Sequence, residues 1–370
     1  MACIPKLRHR LTSRRPSRRI AMAAGAAALV PLMVAAGAAT ATAAAATPAG
    51  ALTRSCQMVE IPVALAAGDP ADQHLAADYC VPPGSRARAA DVLVPGATYN
   101  DTYWDWPQDP QLYSYVDKTL AAGRATLAIS RLGTGASSHP ASSAVTPAVS
   151  AYAVHQAIQW IRARGYAQVD LIGHSLGSVI AVMVAASWPG DANRVVLTGY
   201  LNDLTPGDAA AQGDVYPAVD DPLFAHSGLD SGYLTTRPGV RAALFYYHGN
   251  PQMEAYDEAH KDVLSGPEFA AVGAIADPPS TNPSSSVTVP VLIVVGQEDY
   301  LMCSAGAPDC TSTGALQSYE QPYFSRSPSL TVRSVPDTGH DLALSSTADE
   351  SFAWINSWID LAGGRRPAAP

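Results

Sequence analysis

Short apolar runs alternate with amphipathic stretches along most of the chain, and their lengths sort them into strands and helices. "CQMVEIPV" (56–63) and "HLAADYCV" (74–81) read as two strands about a "GDP" turn at 68–70. "ADVLVPGATYND" contains a short buried strand at 92–94 that ends on Pro95 and Gly96. "YSYVDKTLAAG" predicts a helix stopped by Gly123, and "ATLAISRLGTG" a strand entering a glycine loop. In "VSAYAVHQAIQWIRARG", Tyr152, His155, Ile158 and Ile161 recur about once per helical turn up to Gly165. "QVDLIG" then predicts a strand, "LGSVIAVMVAASWPG" a helix, and "NRVVLTGYL" another strand.

From about 203 to 286 this order breaks down into Pro, Gly, Asp and Tyr with short helical pieces. Alternation resumes with the strands "VLIVVG" and "LTVRSV" and a last helix, "ESFAWINSWIDL". Strands that are apolar throughout, interleaved with helices, predict an α/β fold with a mainly parallel sheet covered on both faces. The irregular segment is read as a lid inserted between the sixth and seventh core strands of one domain. A separately folding second domain is the alternative.

The N-terminus is set apart from this pattern. Residues 6–19 are basic, no acidic residue precedes Glu60, and an Ala-rich apolar run leads into small residues with Ala-x-Ala sites near 41–45. That order predicts a secretory signal peptide at 1–45, a catalytic domain at 46–370, and no stable membrane anchoring after cleavage. Arg14-Arg15 and Arg18-Arg19 leave open whether the route is general or twin-arginine. Cleavage would remove seven basic residues and move the formal charge from −9 to −16 (23 − 7 = 16 basic against 32 acidic). Such a balance argues against nucleic acid or an anionic membrane as partner.

Four cysteines would remain: Cys56, Cys80, Cys303 and Cys310. In an exported chain they predict two disulfides. A hairpin centred on Gly68 sets residues whose numbers sum to 136 opposite each other, which pairs Cys56 with Cys80 and leaves Cys303 with Cys310 across "SAGAPD". No zinc-ligand spacing and no His-Glu-x-x-His occurs, so neither a metal nor another cofactor is expected.

"GHSLG" (173–177) would arise by chance about 0.2 times in such a chain, so the five residues alone decide little. Their setting decides more. Ser175 falls on a sharp turn between a buried strand and a helix, where Gly173 and Gly177 permit a tight bend and the helix N-terminus favours a developing oxyanion. A serine needs a base, and the base an orienting acid. Loops after later strands offer "QEDYLMC" and "PDTGHDLAL", placing Asp299 and His340 downstream of Ser175.

With "GHSLG", "VGQED", "DTGHD" and the strand-end "LVPGAT", the sequence from residue 56 onward resembles the α/β-hydrolase superfamily, in its secreted esterase- and lipase-like form. The resemblance implies an acyl-enzyme mechanism with Ser175 as nucleophile, His340 as base and Asp299 as acid. It also implies an oxyanion site from the backbone N–H of Leu176 and of Ala97, or else Thr98. Many members carry His-Gly in that loop, where this chain has Pro95-Gly96. Asp203, at the end of "VVLTGYLNDL", is a rival acid, and Glu298 a weaker one.

Other residues invite plainer readings. His174 and His155 read as packing or helix-face residues, and His139 as a loop histidine in "GTGASSHP", which lacks a phosphate-loop ending. Tyr103, Trp104 and Trp106 would either line the substrate site or pack beneath the lid. The expected function is a secreted serine hydrolase of carboxylic esters, acting on a small-molecule or lipid-like substrate. Acyl transfer, lactone or amide cleavage would use the same triad. A non-catalytic binding module on the same fold is the non-enzymatic alternative, although it would be expected to have lost a triad member.

Overall fold

The computed structural model describes residues 54–362 apart from 85–86, 204, 206 and 208–210. The leader expected at 1–45 lies outside the described residues. Eight strands form one sheet: β1 (Ser55–Val63), β2 (Gln73–Val81), β3 (Ala89–Val94), β4 (Ala125–Ile129), β5 (Gln168–His174), β6 (Arg194–Thr198), and, after a long interval, β10 (Val291–Gly296) and β11 (Leu330–Val335). Their spatial order is β1-β2-β4-β3-β5-β6-β10-β11. β1, β2 and β4 pair antiparallel, and every neighbour from β4 to β11 is parallel.

The central strands β3, β4, β6 and β10 are buried along their whole length, which is why they read as continuous apolar runs without alternation. Charges inside such strands must be paired. Asp91 of β3 meets Arg124, and Asp170 of β5 meets Arg194. At the edge, β1 and β2 face each other with Cys56 opposite Cys80, and the two are joined by a disulfide. The second disulfide joins Cys303 to Cys310.

The helix Pro147–Arg162 starts with Thr146 accepting from the Val149 N–H and Pro147 in its first turn. Its inward stripe is Ala151, Val154, Ala157, Ile158 and Ile161. Tyr152 and His155 lie at the margin of that stripe, half-buried, where His155 stacks on Trp188 and pairs with Asp191 at 2.6 Å.

Between β6 and β10 the chain leaves the main sheet. It builds a separate three-stranded antiparallel sheet, β7 (Val215–Pro217), β8 (Tyr233–Thr236) and β9 (Leu264–Ser265), with the short helices Arg241–Phe245, Pro251–His260 and Gly266–Ala271. The alternation pattern foretold the interruption but not this sheet, whose strands are two to four residues long. Among the described residues no helix is long and apolar enough to cross a membrane.

Candidate active site

Ser175 follows the last residue of β5 and precedes the helix Leu176–Ser187. Its backbone sits at φ 52° and ψ −119°, a conformation that costs a non-glycine residue of the order of 1–3 kcal/mol and is held only when the surroundings enforce it. Enforcement comes from close packing. A Cβ on Gly173 would come within 2.4 Å of the Gly177 carbonyl oxygen, and one on Gly177 within 2.2 Å of the Val94 oxygen. The Ser175 N–H is held by the Thr198 carbonyl at 2.9 Å.

His340 follows β11. Its Nδ1 lies 2.9 and 3.0 Å from the two carboxylate oxygens of Asp299, which is fully buried on the loop after β10. Oδ1 of that carboxylate also accepts the backbone N–H groups of Leu301 and Met302, both at 3.0 Å. An ionised carboxylate only accepts, so Nδ1 carries the proton and Nε2 is the basic nitrogen. Ser175 and His340 line one cavity of about 240 Å³, together with Ala97 and Leu176. The loop after β3 runs close by, since a Cβ on Gly96 would lie 3.1 Å from that of Ser175.

The rival acids are placed elsewhere. Asp203 lies in the electrostatic surroundings of Tyr319, Glu320 and Tyr323, and Glu298 is exposed. Burial, only partly offset by the N–H donors of Asn202, pushes Glu320 up to about 7.

His174, next to the serine, has Nε2 3.0 Å from Asp341 and its ring stacked on Tyr103 at 4.4 Å. The His174 and His340 rings are 4.9 Å apart. Burial holds the His174 pKa below its usual value, although Asp341 pulls the other way, so this imidazole stays neutral. Tyr103, Trp104 and Trp106 are buried in packing, Trp106 against Tyr256 of the inserted segment, and none of them lines the cavity. His139 borders a different, polar cavity.

Long-range charge pairs around the site had no signal in the sequence: Arg131 with Glu268, Arg241 with Asp257, and His174 with Asp341. Among the described residues, one group of side chains clusters closely enough for a metal, namely Cys56, Asp78 and Cys80. Two of its three donor atoms form a disulfide.

Residues 92–353 match the Alpha/beta hydrolase family, well over half of the chain. The chain belongs to that family. None of the curated proteins matches it. Among solved structures, it resembles a thermophilic esterase from Thermogutta terrifontis, with 16% identity and a TM-score of 0.55 over 83% of this hydrolase-family chain and 99% of the other. A soluble variant of monoglyceride lipase from Saccharomyces cerevisiae gives 15% and 0.56 over 79% and 92%. A monoacylglycerol lipase from Paleococcus ferrophilus gives 16% and 0.53 over 79% and 99%. At such identities the likeness shows the fold.

Proposed function

We propose that this chain is an exported serine hydrolase that cleaves carboxylic esters through Ser175, His340 and Asp299. The observation that carries the reading is the Asp299–His340 pair, with the imidazole bordering the same cavity as a serine held in a strained turn. His340 Nε2 takes the proton of Ser175 as its Oγ attacks the ester carbonyl. The negative oxygen that forms is stabilised by the N–H groups of Leu176, at the start of its helix, and of Ala97. His340 then protonates the departing alcohol, and water repeats the sequence to free the acid.

The cavity supports an ester with an apolar acyl part. Leu176, Val179, Leu301 and Met302 form its floor and wall, while Val215, Phe269, Val272 and Ile275 come from the inserted segment. That segment therefore acts as the lid. The basic and apolar leader at 1–45 and the two disulfides support export.

A series of p-nitrophenyl esters of increasing acyl length tests the reading. Hydrolysis should peak at one chain length and fall on either side, because an apolar cavity of about 240 Å³ accommodates only a limited acyl length. An inert wild-type protein across the whole series would refute the ester reading.

A further inference from the structure

The loop that carries Ala97 is held on both sides by buried guanidinium groups. Before Ala97, Arg131 Nη2 donates to the Gly96 carbonyl at 3.1 Å, while its Nη1 donates to both oxygens of Glu268 at 3.0 and 2.9 Å. After it, Arg241 Nη1 donates to the Thr98 hydroxyl at 2.7 Å, while Nε and Nη2 grip Asp257 at 2.8 and 2.7 Å. The Thr98 carbonyl accepts from the Asp262 N–H at 2.9 Å. Arg131, Arg241, Glu268 and Asp257 are each no more than 1% exposed.

Two features make this arrangement more than packing. Thr98 sits at φ 58°, where a β-branched residue is strained and persists only if its neighbours hold it. In addition, Glu268, Arg241, Asp257 and Asp262 all belong to the segment between β6 and β10, while the loop they hold belongs to the catalytic core. Each arginine is oriented by a carboxylate and has a further N–H left for the loop. Ser150 fixes Glu268 in turn, donating to it at 2.7 Å.

We propose that Arg131 and Arg241 are positioning residues that aim the Ala97 N–H at the developing oxyanion. The inserted segment, through Glu268 and Asp257, thereby completes the oxyanion site as well as roofing the cavity. This inference rests on the ester-hydrolase reading. It concerns the transition state, so it predicts losses in kcat, because substrate binding in the apolar cavity does not depend on the loop's N–H.

The test is the double variant Arg131→Met/Glu268→Gln, in which a buried ion pair is replaced by neutral side chains of similar size, a change that often leaves stability intact. Glutamine keeps an oxygen for Ser150, but the Gly96 carbonyl loses its donor. Thermal midpoint, kcat and KM on a p-nitrophenyl ester, and inhibition by a trifluoromethyl ketone would be measured. Removing one oxyanion donor elsewhere costs about 10²–10³ in kcat, so a misaimed one should cost at least about tenfold. KM should stay within about threefold, and the ketone, whose adduct carries an oxyanion, should weaken in step with kcat/KM.

A folded double variant with kcat within about threefold of wild type would overturn the proposal. Should that variant not fold, Arg131→Lys decides. It keeps a charge opposite Glu268, but an ammonium lacks the fork that reaches both Glu268 and Gly96. The same drop in kcat is expected there, and unchanged kcat overturns the proposal equally. Failure of the ester reading would show separately, as a wild type that hydrolyses no ester.

Discussion

Replacing Asp299 by asparagine probes the proposed orienting acid with almost no change in shape. Oδ1 accepts from Leu301 N and Met302 N, so the asparagine oxygen is drawn to that position. Its NH₂ group then occupies the place of Oδ2, 2.9 Å from His340 Nδ1. A donor there favours the tautomer with the proton on Nε2, which cannot take a proton from Ser175. Turning the amide around would give up two backbone hydrogen bonds, roughly 1–3 kcal/mol, so the NH₂ group stays at 2.9 Å and opposes the Nδ1–H tautomer despite the oxygen at 3.0 Å. An equivalent change in a serine protease lowers kcat about 10⁴-fold, and a loss of about 10³–10⁴ is expected here, or about 4–5.5 kcal/mol in the barrier. The assay is steady-state hydrolysis of the best p-nitrophenyl ester, with circular dichroism to verify the fold. Asp203→Asn, in the surroundings of Tyr319, Glu320 and Tyr323, should stay within about threefold of wild type. If Asp299→Asn kept a tenth of wild-type kcat, or if Asp203→Asn cost more, the acid would have been wrongly assigned.

Three further expectations follow from the same geometry. The Cys303–Cys310 bridge starts four residues after Asp299, and the Cys303 N–H donates to the Asp299 carbonyl at 2.7 Å. Closing so short a loop stabilises by on the order of 2–3 kcal/mol, so the Cys303→Ser/Cys310→Ser variant should remain folded yet lose turnover per folded molecule, and equal turnover would deny the bridge a part in catalytic geometry. His340 must be neutral to act as base, so kcat/KM should fall on the acid side, and a flat profile down to pH 4 would count against it. The lowered His174 pKa has a separate consequence: below pH 6.5 the unfolded chain binds a proton that the folded chain refuses, so this residue's contribution to stability is lost as pH falls. The difference in thermal midpoint between wild type and His174→Gln should accordingly shrink from pH 7.5 to 5.5, and a constant difference would argue that His174 is not held neutral.

Much of this architecture was legible because it is local. Gly173 and Gly177 flank the serine in one short motif; Gly173 is required by contacts inside that strand–turn–helix unit, and Gly177 by the approach of Val94 on β3. The β1–β2 register followed from the turn at Gly68 alone, and the central strands announced themselves as unbroken apolar runs. What escaped was set by tertiary contact. Arg131 and Glu268 are 137 positions apart, and Arg241 and Thr98 are 143 apart, with no pattern in the intervening residues to link them. The three short strands of the inserted segment are stabilised by their partners, so period-2 alternation had too few residues in which to appear. For Tyr103, Trp104 and Trp106, which follow the Ala97 loop, the sequence leaves open whether they line the substrate site or pack beneath the lid, and contacts such as that of Trp106 with Tyr256 favour packing. The short helix Asp101–Trp104 turns the first two inward, and Tyr103 stacks on His174 behind the site.

The central claim is that Ser175 is the nucleophile. The most direct measurement is the intact mass of the protein after reaction with an organophosphonate ester, followed by peptide mapping. The account predicts one adduct per chain, on Ser175, formed in parallel with loss of ester hydrolysis, and none on a folded Ser175→Ala variant. An unlabelled wild type that still hydrolyses esters, or an alanine variant that is labelled and active to the same extent, would contradict it.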